Sequence, residues 1–145
     1  MGKSIIVKGA DFSAVAIDQT NLFNPANARR NYAVYASNDS ASATVTTYNG
    51  LCVCEYIQVP QNCTKILVSN VQTSGAIRFR FSKTTSDSES VPQNTGLAGL
   101  YTPGVAIDVP SDPEYRYFVA SIFRGANAEA AANADLTGVT IEALR

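Results

Sequence analysis

The chain has 145 residues, 46% hydrophobic and 16% charged, with eleven basic residues against twelve acidic ones and no histidine. That length fits one domain with a core of its own, and a net charge of -1 gives no field to hold a polyanion, which argues against electrostatically driven nucleic-acid binding. Without histidine the Ser-His-Asp and Cys-His nucleophilic systems are excluded, as are histidine-containing zinc sites.

The apolar set leans β-branched, with 13 Val and 9 Ile against 7 Leu, and 13 Ser, 12 Thr and 11 Asn supply turns and solvent-facing strand positions. This predicts an all-β chain. Residues 4–8 read as a short strand closed by Gly9-Ala10-Asp11, and residues 12–17 as a second extended piece with Phe12, Ala14 and Ala16 on one face. The apolar centre of the first, Ile5-Ile6-Val7, is too short for a signal peptide's h-region, and no run reaches the ~20 apolar residues of a membrane span. A soluble protein made in a cytosol, with no membrane partner, is expected. Asn21, Asn24, Pro25, Asn27, Arg29 and Arg30 then mark a polar connector. This divides an arm and connector, residues 1–30, from a main domain, residues 31–145.

In the main domain short strands recur between turn signals. Residues 32–37 are followed by the turn cluster Asn38-Asp39-Ser40. Residues 43–48 alternate and meet Asn49-Gly50, which predicts a hairpin returning through residues 51–59. Strands are expected at 65–69 and at 76–83, where Ile77, Phe79 and Phe81 point one way and Arg78, Arg80 and Ser82 the other. Further strands are expected at 105–109, 115–123 and 138–144. About eight short strands at this spacing predict an antiparallel β-sandwich or jelly roll preceded by a short extended arm. The Ser/Thr-rich residues 84–95 predict a mobile surface excursion, and the alanine-rich residues 125–135 a loop with at most one helical turn.

Little in this pattern carries chemistry. No glycine-rich phosphate loop exists, because Gly96, Gly99 and Gly104 precede no helix. Asp108, Asp112 and Glu114 read as solvated turn residues, with a calcium site as the alternative, since oxygen ligands suffice there. The three cysteines, Cys52, Cys54 and Cys63, close no disulfide framework and read as small buried hydrophobes. No cofactor, metal or catalytic residue is assigned, and the chain is read as non-enzymatic. A sugar site is the ligand hypothesis, built on seven tyrosines whose rings carry a polar tip. Tyr101 and Tyr115 are its candidate contacts, and Arg78 and Arg80, read as outward-facing, are candidates for glycan or subunit contacts. Both arginines on a merely solvated face is the competing reading.

The N-terminal arm is the most specific feature. Ser4-Ile5-Ile6-Val7-Lys8-Gly9-Ala10-Asp11-Phe12-Ser13 joins a short β run to a glycine turn and an aromatic residue. Two strands alone are marginal in water, so the arm must dock, either as edge strands on its own sandwich or by β-augmentation on another protein. The run Ile5-Ile6-Val7-Lys8-Gly9-Ala10-Asp11-Phe12-Ser13 resembles the opening of virion appendage proteins of phages that infect Bacteroides, crAss-like phages among them. Glu55-Tyr56-Ile57-Gln58-Val59-Pro60, Ile77-Arg78-Phe79-Arg80-Phe81 and Tyr115-Arg116-Tyr117-Phe118-Val119 are similar to jelly-roll domains of phage fibre and tail proteins. The resemblance implies a head-fibre or capsid-decoration subunit on the virion surface, made in the bacterial host cytoplasm. It further implies attachment to a capsid or other virion protein through the arm, and a homo-oligomer, dimer or trimer. A glycan-binding tail-fibre module that contacts the host surface is the alternative.

Overall fold

The computed structural model describes residues 20–36 and 41–145. The arm residues Ile5, Ile6, Val7, Lys8, Gly9, Ala10, Asp11, Phe12 and Ser13 lie outside the described residues, as do both expected arm strands and the Asn38-Asp39-Ser40 turn.

The described residues form two β-sheets, so the all-β sandwich holds. The strands are β1 (Arg29–Tyr35), β2 (Ser42–Val53), β3 (Ile57–Gln58), β4 (Lys65–Ser69), β5 (Gln72–Thr73) and β6 (Ile77–Ser82). They continue with β7 (Val91–Pro92), β8 (Ala98–Tyr101), β9 (Ile107–Asp108), β10 (Tyr117–Arg124) and β11 (Thr140–Leu144), and a five-residue helix α1 (Ala128–Ala132) precedes the last. The larger sheet runs β1-β2-β10-β6-β8, with β3 and β5 attached to β10 and β7 to β2. The smaller runs β11-β4-β9. Every pair is antiparallel except the short β5–β10 contact.

The run Phe118-Val119-Ala120-Ser121-Ile122-Phe123 explains why β10 is central. Six consecutive buried residues mean that both faces of this strand are covered. Its Phe118 packs against Phe81 of β6 with ring centroids 5.2 Å apart, and against Phe79 at 6.5 Å. Ile66 and Val68 of β4 and Ile141 of β11, all fully buried, close the same core from the smaller sheet. Alternation in Lys65-Ile66-Leu67-Val68-Ser69 puts Ile66 and Val68 inward, as a sheet with one face on the core requires.

The hairpin expected at Asn49-Gly50 is not formed. β2 runs straight through these residues to Val53. Pairing with β1 jumps from Arg30↔Cys52 to Tyr32↔Thr47, so residues 48–51 stand opposite Asn31 alone. Asn31, at φ 61°, accepts the Gly50 N–H on Oδ1 at 3.1 Å, and Gly50 O accepts from Gly125 N at 2.7 Å. Gly50 sits at φ 90°, and a Cβ there would meet Gly125 O at 2.9 Å. The glycine therefore serves a wide bulge and a close backbone approach, two uses the dipeptide shares with a turn.

The domain also begins earlier than residue 31. β1 starts at Arg29, within the segment read as connector. Leu22 N donates to Ile141 O at 2.8 Å, Asn21 bonds Val139 O and Ile141 N through its side chain, and Phe23 is buried. Residues 21–23 thus lie along the outer edge of β11, as part of the sandwich. The alanine-rich stretch forms the short helix α1, capped by the Asn127 side chain on Ala130 N.

Candidate functional site

Arg80 is not on an outward face. It is fully buried, and so is Ser82, because residues 83–91 fold back over that side of β6. Its guanidinium donates to the carbonyl oxygens of Glu89 at 2.7 Å, Ser86 at 3.1 Å and Asp87 at 3.3 Å, and to the Tyr56 hydroxyl at 2.9 Å. The Tyr56 hydroxyl in turn donates to Asp87 Oδ1 at 2.8 Å, and Arg29 grips the same carboxylate with two bonds of 2.7 and 2.6 Å. Glu89 accepts from Lys83 N, Thr84 N and Thr84 Oγ1. The segment expected to be a mobile excursion is therefore tied down from beneath and at both ends. Val45 N bonds Asp87 O, and β7 pairs with Ser42 and Ala43.

The electrostatics follow from these bonds. The Arg29 guanidinium, then the Tyr56 hydroxyl, hold the Asp87 carboxyl below its ordinary value of 3.8 against the opposing effect of burial. Burial alone would raise Glu89, but bonds from Lys83 N and from Thr84 outweigh it and lower the group. Burial, then the bond to Asp87, pushes Tyr56 up to about 12. A carboxyl lowered in the folded state stabilises above its unfolded pKa, and that stabilisation disappears as pH falls through the lower folded value. Asp87→Asn is expected to cost about 1 kcal/mol at pH 7, a modest figure because the carboxylate is 37% exposed. Melting followed by circular dichroism should show the wild-type and variant midpoints converging as pH drops from about 5 to below 3.8.

The other candidates are scattered. Tyr101 turns its hydroxyl inward to Ser121 O at 2.5 Å, and burial raises its pKa, so this hydroxyl is taken out of reach of a surface ligand. Tyr115 is half-buried beneath Lys83, whose Nζ lies 5.2 Å from the ring centroid and pairs with Glu114 at 3.0 Å. Asp108 is 82% exposed and pairs with Lys65 at 2.6 Å. Among the described residues no group of three His, Cys, Asp or Glu is placed to hold a metal ion. Cys52 and Cys54 are fully buried, and burial pushes the Cys54 thiol up to about 12.

Tyr101 lines two shallow recesses beside β8, and Arg78 lines a third that gathers two rings and a second arginine. Between the end of β1 and the start of β6 lies a cleft of about 320 Å³. Tyr35 and Tyr48 stand on one side, ring centroids 5.8 Å apart and planes inclined by 31°. They are 39% and 43% exposed, unusually open for large rings. Arg78 and Arg124 stand on the other, and the alanines Ala33, Ala36 and Ala76 leave the space between. Arg78 Nη1 donates to Gln93 Oε1 at 2.8 Å, and Arg124 Nη1 to Ala76 O at 2.6 Å. Gly75 admits the second guanidinium, since a Cβ there would meet its Cζ at 3.1 Å. The charged and aromatic groups on the described lining are thus two guanidinium groups and two phenol rings.

Sequence reasoning counted Tyr35 and Tyr48 among the aromatic residues but had no means of pairing them. Tyr35 is paired with Thr44, and Tyr48 lies just past the last regular pair, Tyr32↔Thr47, so the two are not cross-strand partners in the register. Arg124 gave no signal at all. No family model matches the chain, and neither a curated protein nor a solved structure does.

Proposed function

We propose that this chain is a non-enzymatic phage virion protein, an oligomeric head-fibre or capsid-decoration subunit attached through its N-terminal arm. The observation that carries the reading is the root of the arm. Residues 21–23 are held on the edge strand β11 by backbone and asparagine bonds, so the described chain begins at a sheet edge. From that root the Ile5-Ile6-Val7 run would pair with a strand of a capsid protein or a sister subunit, where main-chain bonds supply affinity and alternate side chains supply specificity. The resemblance of the Lys8-Gly9-Ala10-Asp11-Phe12-Ser13 motif to virion appendage proteins supports the same reading. So does the engagement of Arg80, Asp87 and Glu89 in holding a loop to the sandwich, a structural use of the fully buried Arg80 and its partners.

The experiment is a truncation. Phage carrying the chain without residues 1–13 should yield a folded, soluble product that is missing from purified particles. Particles that incorporate the truncated chain at the wild-type level would overturn attachment through the arm. The second reading, adhesion to a host-surface glycan, is favoured by the tyrosine-arginine cleft.

A further inference from the structure

We infer that the cleft between β1 and β6 is a binding site for a carboxylate-bearing pyranose, with Tyr35 and Tyr48 supplying the ring platform and Arg78 and Arg124 the anion contacts. The inference rests on the adhesive reading, not on attachment to a particle.

Three features carry it. First, the cleft volume of about 320 Å³ falls within the ~300–1,000 Å³ of small-ligand pockets, and three alanines line it where larger side chains would fill it. Second, two tyrosines about two-fifths exposed lie close enough to form one slanted surface. The electron-rich faces of such rings suit the weakly positive C–H face of a pyranose, and their hydroxyls suit its ring hydroxyls. Third, both charged groups on the described lining are guanidinium groups. Each has one Nη1 committed to an internal bond, which fixes the side chain in place. A guanidinium has five donors in a planar fork, so others remain that match a planar carboxylate. A neutral sugar would use the platform and leave two cations unanswered, and a small inorganic anion would answer the cations and leave the platform bare. A carboxylated sugar uses both.

The test uses the full-length ¹⁵N-labelled chain, titrated with methyl glucuronide, with methyl glucoside as the neutral analogue and with acetate and inorganic phosphate as bare anions. Saturable shifts confined to the cleft residues are expected with the glucuronide, at least tenfold tighter than with the other three. Tyr48→Ala and Arg78→Gln should each weaken the glucuronide about tenfold or more. Arg116→Gln, on the exposed surface beside Tyr117, should not. Should Arg78→Gln disturb the fold, Arg78→Lys keeps the charge, loses the fork and should still bind several-fold more weakly. Equal affinity for glucuronide and glucoside, equal affinity for acetate or phosphate, or no saturable shift would each overturn the assignment. None of these outcomes bears on incorporation into particles, which the truncation tests by itself.

Discussion

Replacing Arg80 by leucine is expected to lower the free energy of unfolding by about 3–5 kcal/mol, the range seen when one partner of a buried charged network is removed. The side chain is fully buried and makes four hydrogen bonds, three of them to carbonyl oxygens of residues 86, 87 and 89. Leucine would leave those acceptors facing an apolar group, and an unsatisfied buried acceptor costs about 1–3 kcal/mol. The loss does not stop at the loop. Asp87 O also accepts from Val45 N, and β7 pairs with the start of β2, so loosening residues 83–91 exposes one face of β6 and one end of β2. Urea unfolding followed by circular dichroism measures the change, and proteolysis should cut first within residues 83–90. Arg80→Lys should recover only part of the loss, because an ammonium is a point donor without the fork. A loss below about 1 kcal/mol for Arg80→Leu would mean that water replaces the clamp without cost.

Phe118→Ala is expected to cost a similar amount, about 3–5 kcal/mol, by the combined loss of transfer free energy and the cavity left behind. Phe118 is fully buried, pairs in register with both Phe81 and Ile57, and completes a three-ring cluster with Phe79 and Phe81. Both faces of β10 are buried, so the packed surroundings relax only partly into the gap. Phe79 is 7% exposed and sits nearer the rim, so Phe79→Ala should cost less, and the double variant should fall short of the sum because the two rings share contacts. Domains of this kind have about 5–15 kcal/mol in total, so either Arg80→Leu or Phe118→Ala removes a large share. Denaturant midpoints with an unchanged slope would confirm a loss of stability rather than a change in the unfolded chain.

The parts of the fold legible in the sequence are those where side-chain period and burial agree. The strand expected at 65–69 has the bounds of β4, because a one-sided sheet writes its inward face as every second residue. The strand expected at 115–123 covers all of β10, Tyr117–Arg124, but its last residue. β6 was legible as a strand and misleading about its faces. Its alternation of arginine and phenylalanine reads as out and in, yet the polar side faces a loop that brings its own carbonyl and carboxylate groups. A period of two distinguishes faces; it does not say what covers them. Asn49-Gly50 failed for a related reason, since positive φ at glycine is as useful to a bulge as to a turn, and the choice depends on Asn31 and Gly125, 19 and 75 residues away. The cleft was the least legible feature. It needs Tyr35 and Tyr48 from two strands paired out of step, Arg78 from a third and Arg124 from a fourth, and nothing local links these positions.

The proposed role as a particle component is tested most directly by mass spectrometry of density-purified particles released by cells that express the chain from its native gene, with copy number referred to the major capsid protein. The prediction is that the chain is present at a fixed stoichiometry, unchanged by a further density step. Its absence from intact particles, with abundant chain left in the lysate, would contradict the proposal.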